Sequence, residues 1–187
     1  MKKFNKLLTI HCHTSGLDYD SDDITNNNQA LSVALGVVDL KTLKLIDVKT
    51  LRVKFDHELY TWNSKLESIH GISKEESFEG ENLQDAASII GEFLYEHFGL
   101  KDSIPTIGYN VLGFHIPFVS KILKSEGLHF EFDNRSLDLF TLMALMNCYT
   151  IKEVYELFGI DSGEVLSSLE SIKMYLKIFK TFKSLLA

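Results

Sequence analysis

Two runs near the start of the chain alternate apolar and polar residues with a period of two, and they restrict the fold more than any other feature. In the first, Leu7-Leu8-Thr9-Ile10-His11-Cys12-His13, a strand puts Leu8, Ile10 and Cys12 on one face and Thr9, His11 and His13 on the other. Two histidines then project side by side. In the second, Ala30 to Val38, the residues Leu31, Val33, Leu35 and Val37 share a face. The polar stretch from Thr14 to Gln29 separates the two with Asp, Ser and Asn turn chemistry. Lys44 to Phe55 is rich in β-formers and follows the short link Asp39-Leu40-Lys41-Thr42, which predicts an antiparallel hairpin. Three consecutive strands therefore open the domain.

The pattern then changes to helical spacing. From the N-cap Asn82, the residues Leu83, Ala86, Ala87, Ile90, Phe93, Leu94 and His97 mark a helix that Gly99 closes. Ile104 to Tyr109 reads as a short buried strand, and His115 to Glu126 as a helix with Pro117 in its first turn. Leu137 to Asn147 reads as a helix or a strand-helix junction, and Thr150 caps a short helix ending at Gly159. A last helix from about Ser162 buries Val165, Leu169, Ile172, Leu176 and Phe179, with Lys173, Lys177, Lys180 and Lys183 on its wet face. Strands first, helices later and one alternation between them predict a mixed α/β domain spanning residues 1–187.

Composition excludes several classes of function. A chain of 187 residues with 45% hydrophobic and 24% charged side chains builds a core without disulfides or structural metal. The formal charge of −7 gives no global attraction for phosphate backbones, which rules against a non-specific nucleic-acid coat and leaves a local cleft that handles a chain end. Cys12 and Cys148, each in an apolar setting, read as buried free thiols of a reducing, cytoplasmic compartment. No apolar run approaches the roughly 20 residues of a membrane span, and no secretory core follows Met1-Lys2-Lys3-Phe4, so neither membrane partner nor export is expected.

Five further segments fall in a telling order. Ile69-His70-Gly71-Ile72, with Ser73 and Glu75 after it, resembles the IHGIT-type signature of the DEDDh 3′-to-5′ exonucleases, a ribonuclease-H-like family. Ile10-His11-Cys12-His13-Thr14-Ser15-Gly16-Leu17-Asp18 resembles that family's first motif, F-D-x-E-T-T-G-L-D. Gly108-Tyr109-Asn110 with Phe114-His115 resembles its G-H-N and F-D pair, Leu137 to Leu142 its D-T-L segment, and Leu157 to Ile160 its L-G-I. The resemblance spans roughly residues 7 to 180. It implies a ribonuclease-H-like α/β fold, a mixed sheet flanked by helices, and a function tied to nucleic-acid 3′ ends or nucleotides.

The departures from the family pattern carry as much information as the matches. In the family, four carboxylates hold two Mg²⁺ or Mn²⁺ ions that clamp the attacking and leaving oxygens. Here the first-motif Asp and Glu are His11 and His13, and the second-motif Asp is His115. The final motif, H-x-A-x-x-D-A, aligns with Val165 to Ser171, so its Asp is Glu170 and its general-base His is Val165. Mg²⁺ requires hard oxygen ligands, so imidazole at three positions predicts loss of Mg²⁺-dependent exonuclease activity.

Random decay would scatter such positions over Asn, Ser, Ala and Gly, yet all three are histidine. Three readings of the exchange stay open at this point. His11, His13, His115 and Glu170 bind a transition metal such as Zn²⁺, Mn²⁺, Fe²⁺ or Ni²⁺, either closed and structural or open and supporting a phosphodiesterase. Alternatively the histidines fill a vacated cleft in a protein that recognises nucleic acid or a protein partner, or they bind a phosphate group directly. Thr14, Ser15, Gly16 and Leu17 match the loop that meets the terminal nucleotide in the family, and Asn110 either touches substrate or caps the next helix. His70 reads as a hydrogen-bonded structural residue, Tyr60 and Trp62 as packing residues, and His57, His97 and His129 as ordinary surface positions.

Overall fold

A computed structural model describes residues 5–19, 27–100, 103–161 and 166–185. The sheet is built first from the two alternating runs: β1 (Lys6–Thr14) pairs antiparallel with β2 (Ala30–Asp39), and β2 pairs antiparallel with β3 (Leu45–Arg52). Two further strands, β4 (Ile104–Gly108) and β5 (Phe132–Asp138), continue the sheet in parallel with β1, giving the order β3-β2-β1-β4-β5. The helices are α1 (Glu67–His70), α2 (Leu83–Phe98), α3 (Ile116–Ser125), α4 (Leu139–Met143), α5 (Ile151–Leu157) and α6 (Ser168–Leu185).

The period-two pattern of β1 and β2 sorts side chains into two cores, one on each side of the sheet. Leu8, Ile10, Cys12, Val33, Leu35 and Val37 pack beneath α2 and α3, against Ala86, Ala87, Ile90, Leu94, Phe118, Val119 and Ile122. On the opposite face Leu7, Ala34, Val38 and Ile107 meet Leu139, Met143, Val154, Ile172, Leu176 and Phe179 of α4, α5 and α6. Both cores mix aliphatic and aromatic side chains, and no disulfide is present among the described residues, where Cys12 and Cys148 are free thiols. No helix among those residues is long and apolar enough to cross a membrane.

Local signals set most helix ends. Asn82 accepts the Asp85 N–H at 2.9 Å and opens α2, whose end is closed by Gly99 at φ 71°. Thr150 and Glu153 form a capping box at α5. The lysine stripe of α6 is exposed at Lys173, Lys177, Lys180 and Lys183, while Ile172, Leu176 and Phe179 are buried as expected. Leu169, also expected to be buried there, is half-buried, and Val165 and the helix start expected at Ser162 lie outside the described residues.

Two elements differ from the sequence expectation. β5 occupies a segment, Phe132-Asp133-Asn134-Arg135-Ser136, whose polarity and turn-forming residues conceal a strand. It is an edge strand held by parallel pairing to β4 and by a hydroxyl bond from Thr106 to Ser136 at 2.9 Å, and of its residues only Asp133 is buried. The helix expected from His115 is preceded by a wider π-helical turn over Val111–His115, and regular α geometry begins only at Ile116.

Candidate active-site cleft

The carboxyl ends of parallel strands, where the chain leaves for its next element, are where open α/β sheets bind ligands. β1 ends there with His11 and His13 on its polar face, and β4 leads there into the π-helical turn that carries His115. That turn is held by Asp138 at the end of β5: its carboxylate accepts the N–H of Asn110 at 2.7 Å and of Val111 at 2.9 Å. Asn110 itself adopts a left-handed backbone (φ 48°, ψ 40°). The extra residue of the wide turn swings His115 back over the sheet, where its Nδ1 accepts the N–H of Cys12 at 3.0 Å.

The imidazoles form one cluster. Ring centroids of His11 lie 4.5 Å from His115 and 5.1 Å from His13, and His13 stacks on His70 at 5.6 Å. His11 Nδ1 and the Tyr175 hydroxyl are hydrogen-bonded at 3.1 Å, which ties the cluster to α6. Burial disfavours the charged form of each ring, and neighbouring histidines add to the effect. Burial lowers His11 far below the ordinary histidine range, reinforced by His115 and His13. His13 falls to about 4, through burial first and then His70 and Arg52, and His115 to about 3, through burial and His13. His70 is lowered by burial, partly offset by the Glu67 carboxylate and the Thr14 backbone. Near neutral pH the cluster is a set of uncharged imidazoles.

With this arrangement described, the chain can be set beside known proteins. No protein-family model matches the sequence, and no curated protein matches it. Among solved structures, Escherichia coli exonuclease I in complex with a dT13 oligonucleotide superposes with a TM-score of 0.76 at 15% identity, over 97% of this chain and 41% of that one. The zinc-bound form of the exonuclease I complex with single-stranded DNA gives 0.77 at 15% identity over the same shares. The nuclease domain of 3′hExo, a DEDDh family member bound to rAMP, gives 0.68 at 12% identity over 97% of this chain and 92% of that one. The fold is that of the DEDDh exonucleases. The chain thus spans about two-fifths of exonuclease I and nearly all of the 3′hExo nuclease domain.

In this exonuclease fold the cleft beside the histidines has a volume of about 800 Å³. His11, His13, His115, Thr14, Leu17 and Asn110 all line it, so the positions expected from the first and second motifs do converge. Ser15 and Gly16 stand just behind. Ser15 is fixed by two backbone bonds, from its N–H to Gln29 O at 2.8 Å and from Asn63 N–H to its carbonyl at 2.8 Å. A Cβ on Gly16 would sit 2.1 Å from the Asn28 amide, so any side chain here requires that amide to move. Leu17 beyond it is 68% exposed and borders both the cleft and a second pocket of about 470 Å³ that also touches Asn28, Trp62 and Lys65.

Glu170 is a correction. It is not in the cleft: its carboxylate accepts the N–H and hydroxyl of Ser167 at 2.8 and 2.6 Å, a capping box at the start of α6 that faces solvent. One residue further is about 100° further around the helix, and it is Ser171, with Tyr175 one turn later, that faces the cleft. The expected four-residue metal set is therefore not assembled. Among the described residues no group of three or more His, Cys, Asp or Glu is disposed to hold a metal ion. The Nδ1 atoms of His115 and His11 are already engaged by Cys12 and Tyr175. Val165, expected at the position of the family's general base, lies outside the described residues.

Among the described residues no Asp or Glu lines the cleft, and the one charged lining residue is Lys152. Such a donor set does not fit Mg²⁺, which takes hard oxygen ligands. Sequence reasoning missed the tyrosines of the opposite wall, Tyr109, Tyr155 and Tyr175, and also Ser171 and Lys152. Burial raises the Tyr155 hydroxyl to about 12 and Tyr175 further, so both stay protonated. The i, i+4 spacing of Ser171 and Tyr175 was the available signal, adjacent to the apolar stripe of α6.

Proposed function

We propose that this chain binds the 3′ end of a nucleic-acid strand in the histidine-lined cleft and does not cleave it by the two-Mg²⁺ route. The single observation that carries the reading is a cleft of nucleotide size, bordered by the exposed Leu17 wedge, whose wall among the described residues has four imidazoles and no carboxylate. Neutral imidazoles remove the repulsion that uncompensated carboxylates would exert on phosphate, while the loop from Thr14 to Leu17, held by the Ser15 backbone bonds, presents Leu17 at the cleft edge. The likeness to exonuclease I with a dT13 oligonucleotide and to 3′hExo with rAMP supports the same ligand class. Aromatic rings of Tyr109 and Phe114 on the wall offer stacking surface for a base.

The test is labelled single-stranded DNA and RNA incubated with Mg²⁺, Mn²⁺, Zn²⁺, Fe²⁺, Ni²⁺ or chelator. Retained binding in chelator with no shortening in any metal is the expected result. Shortening that depends on Mg²⁺ would overturn the reading of the cleft. Near-stoichiometric transition metal in protein purified without a histidine tag would replace it with a metal-dependent phosphodiesterase.

A further inference from the structure

Two lining residues of the cleft, His115 and Leu17, are held by one helix. His115 is the N-cap of α3, and Phe118 and Lys121 follow on the same helix. Lys121 is half-buried and does not line the cleft; its side chain reaches the neck of the loop that carries Leu17. The ammonium donates to the Tyr19 carbonyl at 2.9 Å, to the Asn28 carbonyl at 3.5 Å and to the Asn27 side-chain oxygen. It also lies 4.7 Å from the centre of the Tyr60 ring. Tyr19 sets its own ring against Phe118, with centroids 5.8 Å apart, so α3 grips this neck at two points.

The contacts lead on to Leu17. Asn28 is 6% exposed and exchanges two bonds with Asp18: its N–H donates to the Asp18 carbonyl at 2.9 Å, and its side-chain oxygen accepts the Asp18 N–H at 3.0 Å. The Asn28 amide nitrogen donates to the Thr61 carbonyl at 3.0 Å, and the Thr61 N–H donates to the Asn27 carbonyl at 2.7 Å. Asn28 therefore fixes the backbone next to Leu17, and Lys121 fixes Asn27 and Asn28. A carbonyl that faces an ammonium makes a charge-assisted bond, about twice as strong as a neutral one, and the face of an aromatic ring attracts the same cation. An uncharged side chain of equal length supplies neither. Resting on the reading of the cleft as an end-binding site, we infer that Lys121 is its positioning residue: without touching the strand, it holds the Leu17 edge of the cleft at a fixed distance from the His115 wall. About 9 Å of helix separates His115 from Lys121, at about 1.5 Å per residue, and serves as the rigid bar between them. Selectivity for an end over the body of a strand then depends on this lysine.

Fluorescence anisotropy on the full chain, in chelator, tests it with a labelled linear single-stranded DNA and an unlabelled circle of the same sequence as competitor. The wild-type protein is expected to prefer the linear strand. Lys121→Met keeps the length of the side chain and removes the ammonium. It should lower affinity for the linear strand about tenfold and leave affinity for the circle unchanged. It should also shift the emission of Trp62, the chain's single tryptophan, which lines the second pocket with Leu17, at an unchanged far-ultraviolet circular dichroism spectrum. Lys121→Arg restores a cation with donors and should recover most of the preference and of the Trp62 signal. A full preference for the linear strand in Lys121→Met, an equal loss on strand and circle, or an arginine variant that behaves as the methionine one overturns the role of Lys121 and leaves end binding intact. No preference in the wild-type protein overturns end binding itself; the Trp62 shift and its recovery in Lys121→Arg then still decide whether Lys121 holds the loop.

Discussion

On one face of β1, Leu8, Ile10 and Cys12 are buried among apolar side chains; on the other, Thr9, His11 and His13 run toward the cleft. The two faces belong to one strand and are fixed by one register, yet they answer to different physics. The apolar face is a volume problem, in which a missing methylene leaves a void. The polar face is a charge problem: burial keeps the histidines neutral, and each ring nitrogen needs a defined partner. A carboxylate in the same place would need a cation, whereas an imidazole does not. The comparison shows how one strand, in one register, can hold a packing face and a polar face that obey different constraints.

The largest expected effect lies on the polar face and appears on acidification. His13 and His115 have folded-state values of about 4 and about 3, both below the ordinary 6.5. The unfolded chain takes up these protons first, so the stabilisation is complete above about pH 6.5 and is lost as pH falls toward 4 and then 3. Each group contributes roughly 3 to 5 kcal/mol across that span, at about 1.4 kcal/mol per unit. His11 and His70, also lowered by burial, act in the same direction. Urea midpoints measured from pH 8 to pH 4 should fall steeply, and His13→Gln should flatten the slope. A flat profile would mean that the rings are open to water.

The apolar face comes next. Ile10 is fully buried, and Ile10→Ala should cost about 2 to 5 kcal/mol in denaturant titrations. His11→Ala, on the next residue, should cost less than about 2 kcal/mol because it deletes a buried polar ring together with its desolvation. Equal losses at the two positions would erase the distinction between the faces.

A third position links the faces to the rest of the sheet. Asp138 accepts three backbone N–H groups, from Asn110, Val111 and Phe140, at 2.7, 2.9 and 2.9 Å. Asp138→Ala removes charge-assisted bonds and should lower stability by about 2 kcal/mol. It should also release the wide turn, so end binding weakens and the Cys12 N–H loses its hold on His115. An amide-exchange measurement at Cys12 that stays protected in this variant would show the turn to be held by other contacts.

Much of this was legible in the sequence. The alternation in β1 and β2, the Asn82 and Thr150 caps and the order of the family-like segments predicted the sheet, its helices and three of the four expected cleft positions. What was hidden has specific causes. β5 is polar because it is an edge, and only pairing with β4 makes it a strand. Glu170 was expected at the position of the family's last carboxylate, but Ser167-Ser168-Leu169-Glu170 is also a capping-box sequence, and the local bonds prevail. The rotation of α6 that brings Ser171 and Tyr175 into the cleft is set by its packing against the far core, which no local pattern reports.

The smallest effect on stability is expected where the loop from Thr14 to Leu17 meets its support. Gly16→Ala places a methyl 2.1 Å from the Asn28 amide. That amide is already occupied, accepting the Asp18 N–H at 3.0 Å and donating to the Thr61 carbonyl at 3.0 Å, so it must give up both bonds to move. The loop lies at the rim and not in either core, which limits the loss to about 1 kcal/mol, the worth of a hydrogen bond or two. The Leu17 wedge is carried by the same backbone, so its displacement should weaken binding of a strand end by about tenfold at unchanged helix content, read by anisotropy beside circular dichroism. Unchanged affinity with a shifted loop would move the ligand away from Leu17 and deeper among the imidazoles. The faces of β1 would then divide fold from function more sharply than the rim does.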